Sequence, residues 1–194
     1  MQLLWLSGYR DYELGIFDPK APEVVVIKRA LRERLVAWLN QVDEEAWLLS
    51  GPQPGIERWG LEVGQELKAD YPTLKLGMVA PFAQVEANWK PERQAALAQF
   101  KPQVDYFGTV SDQPYQNPSQ LRAYQDFMFA HADRVLLVFD PERDSLGERH
   151  AKSYYDYRRA QQTPDLPLSL VTFDDLQEVA EEVAEEERDR QAGW

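Results

Sequence analysis

The chain has 194 residues, 44% of them hydrophobic, no cysteine and a formal net charge of −12. This length fits one folded domain, and at this size roughly 70% of the unfolded chain's surface can be buried, so no metal or disulfide staple is required. The composition excludes structural disulfides, thiolate metal sites and a cysteine nucleophile, and the acidic balance disfavours nucleic acids and anionic membranes, which bind a positive footprint.

No basic region precedes the first apolar run, and no run approaches the roughly 20 apolar residues of a spanning helix, so a soluble cytoplasmic protein without a required cofactor is expected. Along the chain, short apolar runs alternate with helical periods. The first candidate strand, 3–7, leads into Gly8-Tyr9-Arg10. A connection from Gly8 to Pro22 follows, long for a strand-to-helix loop, where roughly 2–6 residues is usual; such loops tend to be functional. Val26, Ala30, Leu31, Leu35, Trp38 and Leu39 then recur at helical spacing up to Asn40. The second strand, 46–50, ends in Ser50-Gly51 and a turn, Pro52-Gln53-Pro54-Gly55, before Glu57 and a helix through Leu67. Further strands are expected at 74–80, 104–108, 135–139 and 168–172, with helices at 92–100, 119–131, 148–160 and 174–187. This alternation predicts right-handed βαβ units in a single three-layer, Rossmann-like α/β domain with a mostly parallel, doubly wound sheet. The domain is drawn over 1–184, with 185–194 as an acidic C-terminal tail.

Two turns that leave a strand through Ser-Gly expose backbone N–H groups at the carboxyl edge of the sheet, where amides and helix dipole favour an anion such as phosphate. The residues expected to bind a ligand there are Ser7, Gly8, Tyr9 and Arg10 in the first loop and Ser50, Gly51, Gly55 and Glu57 in the second. Arg10 suits phosphate through paired, planar hydrogen bonds, with a surface ion pair to Asp11 or Glu13 as the structural alternative. Glu57 either accepts ribose hydroxyls or acts as a base, or it caps its helix. Tyr9 and Tyr12 stack on a base or pack beneath their loop; the same pair of readings applies to Trp89. Thr109 and Asp112, after the fourth strand, lie on the expected ligand edge. Asp140, after the fifth, is a second catalytic candidate beside Glu57, or a cap. Gly147 is a weak phosphate candidate. His131 and His150 stand in no metal-ligand spacing, and no metal site is expected. The Tyr154–Arg159 cluster reads as a helix that buries one tyrosine edge and exposes its arginines.

Four ordered segments, LSGYRDYELGIF, LLSGPQPGIERWGLEV, APF followed by NWKPE, and VLLVFDPE, resemble the YpsA-like family of bacterial proteins over nearly the whole chain. That family belongs to the SLOG superfamily of Rossmann-like folds, with the DNA-processing protein DprA and the LOG-type phosphoribohydrolases. The turn SGPQPGIE also resembles the SG-x-A-x-GID turn of DprA. The resemblance implies a nucleotide or nucleotide-derived ligand, ADP-ribose-like, at the ends of the first two strands, and a sensor or regulatory role; homodimerisation follows by analogy. It singles out Gly8, Arg10, Ser50, Gly51, Gly55 and Glu57. Two departures stand out: Pro52-Gln53-Pro54 makes the second turn one residue longer than the commoner spacing, and the PGG-x-GT-x-x-E stretch of LOG-type enzymes is absent. The alternatives are a hydrolase of an N-glycosidic or phosphate bond, and a protein-binding scaffold in cell division or envelope control.

Overall fold

Six strands form one sheet in the order β4-β3-β2-β1-β5-β6, and every pairing is parallel. The structure is a computed structural model that describes residues 1–143 and 152–193. The strands are β1 (Gln2–Gly8), β2 (Ala46–Ser50), β3 (Leu74–Phe82), β4 (Tyr106–Ser111), β5 (Arg134–Val138) and β6 (Leu168–Val171). The helices are α1 (Pro22–Leu39), α2 (Ile56–Leu67), α3 (Pro91–Phe100), α4 (Ser119–His131), α5 (Lys152–Gln161) and α6 (Phe173–Gln191).

The apolar runs form strands because both faces of the sheet are covered, so side chains pointing either way leave water. Alternation along β1 shows the two layers. Leu6 lies against Gly60 of α2, while its neighbour Trp5 meets Phe129 of α4 edge-on at 5.0 Å. Helices α1, α2, α3 and α6 pack on the first face: α1 contacts α2 and α6, and Arg58 of α2 lies over Phe100 of α3. Helices α4 and α5 cover the other. Chain order runs outward from β1 to β4, returns through α4 to β5 on the far side of β1, and ends at β6. The order therefore reverses at β1, which lies between β2 and β5. Loops leave the sheet on both sides of such a point, and a crevice opens there.

The expected elements are present, with shifted edges. β4 begins two residues later than the apolar run implies: Lys101–Gln103 form a 3-10 turn, and the Asp105 carboxylate accepts the Leu76 N–H at 2.8 Å and pairs with Lys68. It is also an edge strand, with Tyr106 and Phe107 exposed, unlike the covered strand its composition implies. The long first connection contains a 3-10 turn, Asp11–Leu14, and proline starts α1 at its first position, where a missing N–H costs nothing. α6 runs unbroken through Glu185 to Gln191, with Arg29 of α1 bonded to Glu186 at 3.1 Å. The predicted start of α5 at Glu148, together with Gly147 and His150, lies outside the described residues. Among the described residues, no helix is long and apolar enough to cross a membrane.

Candidate ligand-binding site

The two glycine-bearing turns meet. Arg10 and Gly55 form an antiparallel bridge, the Ile56 N–H donates to Tyr9 O at 3.1 Å, and the Asp11 N–H donates to Pro54 O at 3.1 Å. Gly55 has φ of +116°, a region open to glycine alone at low cost. Both turns are also tied to the rest of the molecule. Ser50 Oγ donates to Leu6 O at 2.8 Å, and Arg93 of α3 holds the Asp11 carboxylate at 2.8 Å.

The space that the glycines free is taken by the protein itself. A Cβ on Gly8 would meet Val138 O and the Ile56 side chain within 3.0 Å, and one on Gly55 would meet the backbone of Tyr9 to Asp11. On Gly51 it would collide with the Glu57 carboxylate, 2.1 Å away. The second turn thus cradles an anion supplied by its own chain. Glu57 Oε2 accepts the Gln53 N–H at 3.1 Å, closing the turn from within.

Beside this carboxylate lies a buried charged cluster. Lys152, at the start of α5, donates to Ser7 Oγ at 2.7 Å and to Asp156 Oδ2, and lies 3.4 Å from Glu57 Oε1. Ser7 Oγ donates in turn to Asp156 Oδ2 at 2.8 Å, and Gln125 of α4 donates to Asp156 Oδ1 at 3.0 Å. Burial opposes the ammonium of Lys152, but Asp156 and Glu57 outweigh it and hold its pKa above the ordinary lysine value. The Tyr124 hydroxyl, also buried, has no hydrogen-bond partner. Burial, then Glu57 and Asp156, push its pKa well above that of a free phenol, so it stays a donor.

Glu57, Tyr124, Gln125, Lys152 and Asp156 line a cavity of about 990 Å³ on the α4–α5 face of the sheet's carboxyl edge. Arg10, Tyr12 and Glu13 line it from beyond β1, and Pro52, Gln53 and Glu57 from beyond β2. Phe82 ends β3 and Gln84 and Trp89 follow it, Pro114 and Tyr115 follow β4, and Arg122, Tyr124, Gln125, Lys152, Tyr155 and Asp156 come from α4 and α5. Gln84 adopts φ of +55°. Phe82 and Tyr115 lie 5.2 Å apart and give one wall an aromatic surface. Arg10 donates to the Tyr12 hydroxyl at 3.3 Å, and its Nε is buried without a partner. Among the described residues neither Arg10 nor Arg122 has a carboxylate partner, in contrast to the paired arginines of α1.

Of the sequence-predicted ligand residues, Arg10 and Glu57 line this cavity. The turns of Gly8, Ser50, Gly51 and Gly55 brace it from behind. Ser7 is fully buried under Lys152. Tyr9 packs away from the cavity beneath its loop, stacked on Phe173 at 5.5 Å, and accepts the Asp140 N–H at 3.0 Å. Thr109 and Asp112, on the edge strand β4 and just after it, are exposed and do not line the cavity. Asp140 is a cap: its Oδ1 accepts the Glu142 N–H and its Oδ2 the Phe173 N–H, each at 3.0 Å, and it too lies outside the cavity. Trp89 lines the cavity, its loop fixed by Gln94, whose amide donates to the carbonyls of Glu86, Ala87 and Trp89. Lys152, Asp156, Tyr124 and Arg122 were not among the sequence candidates. In α5 the buried positions are Ser153, Asp156 and Ala160, with Tyr154 and Tyr157 only partly covered.

Fold and recess place the protein among the doubly wound, Rossmann-like α/β proteins with a crevice at the carboxyl edge of the sheet. The family model described as YspA SLOG family (YpsA) matches residues 4–176, and the chain belongs to that family. It is 44% identical to the UPF0398 protein of Limosilactobacillus reuteri (strain DSM 20016), over 98% of each chain. It is 43% identical to the UPF0398 protein of Levilactobacillus brevis (strain ATCC 367), over 95% of each. The UPF0398 protein of Latilactobacillus sakei subsp. sakei (strain 23K) is also 43% identical, over 95% of this chain and 97% of the relative.

Proposed function

We propose that this chain binds a nucleotide or nucleotide-derived small molecule in the cavity at the carboxyl edge of its sheet, as a sensor or regulatory protein. The observation that carries this reading is the presence of two guanidinium groups, Arg10 and Arg122, on one cavity of a chain with net charge −12, neither with a carboxylate partner among the described residues. Two guanidinium groups that line one recess offer paired, planar hydrogen bonds to an incoming anion. The recess has the size of a cofactor site, roughly 300–1,000 Å³. Trp89 and Tyr115 offer ring faces to a base, Arg10 meets phosphate, and Glu57 offers an acceptor to a ribose hydroxyl. Asp140 lies outside the recess with both carboxylate oxygens on backbone N–H groups, so it is not the acid that a hydrolytic reading would pair with Glu57.

Calorimetric titration and thermal shift of the purified protein against a nucleotide panel test this. A ligand at 100 times its Kd raises stability by about 2.7 kcal/mol. Arg10→Ala is expected to weaken binding by about 10- to 100-fold, the worth of a charge-assisted hydrogen bond, and to leave the melting temperature of the free protein nearly unchanged. A panel that produces no shift, or an Arg10→Ala protein that binds as well as the parent, would refute the reading.

A further inference from the structure

We propose that Gln84 selects the base of the bound nucleotide: its side-chain amide hydrogen-bonds the edge of the base while the aromatic wall holds the face. This rests on the nucleotide reading above and adds to it the residue that sets which base is taken.

Stacking cannot choose a base, because every base has a π-face and aromatic platforms tolerate them all. Phe82, Trp89 and Tyr115 therefore supply affinity, and selection needs hydrogen bonds at the edge. Gln84 stands between Phe82 and Trp89 in the chain and lines the same cavity. It is exposed, and its amide makes no hydrogen bond with any described residue. The Gln125 amide, by contrast, is already spent on Asp156.

The backbone gives a second, independent observation. Among the described residues Gln84 is the one non-glycine residue with positive φ, at +55°. That left-handed region crowds a Cβ, and turns that need it favour glycine or asparagine. Glycine would serve the turn here, which is closed by the Ala87 N–H on Gln84 O at 2.9 Å. A long amide stands there instead, and its surroundings are fixed. The Ala83 N–H donates to Gln113 O at 3.1 Å, Lys101 pairs with Glu86 at 3.4 Å, and Gln94 holds three carbonyls between Glu86 and Trp89. Strain that a rigid surround maintains beside a ligand cavity marks a residue kept for its side chain.

An amide presents one donor and one acceptor side by side. A base edge with the complementary pair satisfies both, a contact that separates bases by about 10- to 100-fold. Guanine differs from the rest in having two adjacent donors, N1–H and the N2 amino group, a pattern that suits a carboxylate. Adenine, cytosine, uracil and hypoxanthine place an acceptor beside each donor.

Calorimetric titration of the full-length protein with ADP, GDP, CDP, UDP and IDP ranks the bases. Gln84→Glu keeps the stem and turns the amide into a carboxylate. It is expected to raise the affinity for GDP relative to each other diphosphate by at least about tenfold; the added charge weakens all five alike and cancels in the ratio. Gln84→Gly removes the amide and relieves the backbone. The spread among the five affinities is expected to shrink by at least about fivefold, while the melting temperature of the free protein holds or rises. Equal affinities in the parent, a smaller gain in the GDP ratio, or a spread that survives in Gln84→Gly overturns the inference and leaves the nucleotide reading standing. Five diphosphates that all fail to bind the parent overturn both.

Discussion

One side chain, Lys152, joins three parts of the chain: its ammonium bonds to Ser7 of β1 and Asp156 of α5 and lies beside Glu57 of α2. Two carboxylates and one ammonium in a poorly solvated place are stable only while the ammonium remains. Lys152→Met keeps the length of the stem and removes the charge. It is expected to cost about 2–3 kcal/mol in urea denaturation, below the usual loss for a broken buried pair because the lysine is partly exposed. A loss under about 0.5 kcal/mol would mean that the cluster contributes little to the fold. Arg10 and Glu57 were legible in the sequence because each follows a strand by a few residues, and the edge of a parallel sheet is where such residues gather. Lys152, Asp156 and Tyr124 were not. Lysine and aspartate four apart on a helix read as an ordinary surface ion pair, and a tyrosine at helical spacing reads as core. Only the crossing of α4 and α5 over β1 turns the three toward one another, and that is a tertiary fact.

At the scale of elements, α2 approaches the sheet more closely than a side chain permits. A Cβ at Gly60 would fall 1.8 Å from the buried Leu6 Cδ2, and one at Gly64 within 2.8 Å of both Leu48 and Leu76. Alanine is the better helix former by about 1 kcal/mol, so propensity alone predicts that Gly60→Ala stabilises. Overpacking of a filled core costs about 1–3 kcal/mol, and Leu6 is fully buried. Gly60→Ala is therefore expected to lower stability by about 1 kcal/mol net, measured by thermal or urea unfolding; a rise would show that Leu6 repacks at no cost. Elements whose cause is local were readable in advance. α4 appears over 119–131 as its spacing implies, and α6 starts at the capping box in which Thr172 and Asp175 bond each other's backbone N–H. β4 was misplaced because its boundary is set across the sheet, by Asp105 reaching the Leu76 N–H, which periodicity does not record. Asp140 left two readings open for a related reason: a strand-end acid looks the same whether it faces a ligand or caps the next helix, and here it caps.

Across the whole molecule, the acidic charge is only partly organised. Helix α1 supplies cations to both neighbours, through Lys28 to Glu62, Arg32 to Glu66, Arg34 to Asp175 and Arg29 to Glu186. These pairs are largely exposed, and each contributes little, roughly 0–1 kcal/mol. The uncompensated remainder repels itself in the compact state. Added salt screens that repulsion beyond a Debye length of roughly 8 Å at physiological strength. The melting temperature is therefore expected to rise between low and moderate sodium chloride in differential scanning calorimetry; a fall would mean that the α1 pairs outweigh the repulsion. The stitching of Gly55 to Arg10, with Ile56 wedged over Gly8, bears on how this protein can be controlled. Those turns are finished before any guest arrives, so on that side the recess has no jaw to shut. Entry there would be docking against a wall braced by its own backbone bonds. An antagonist acting there would work by occupying the recess.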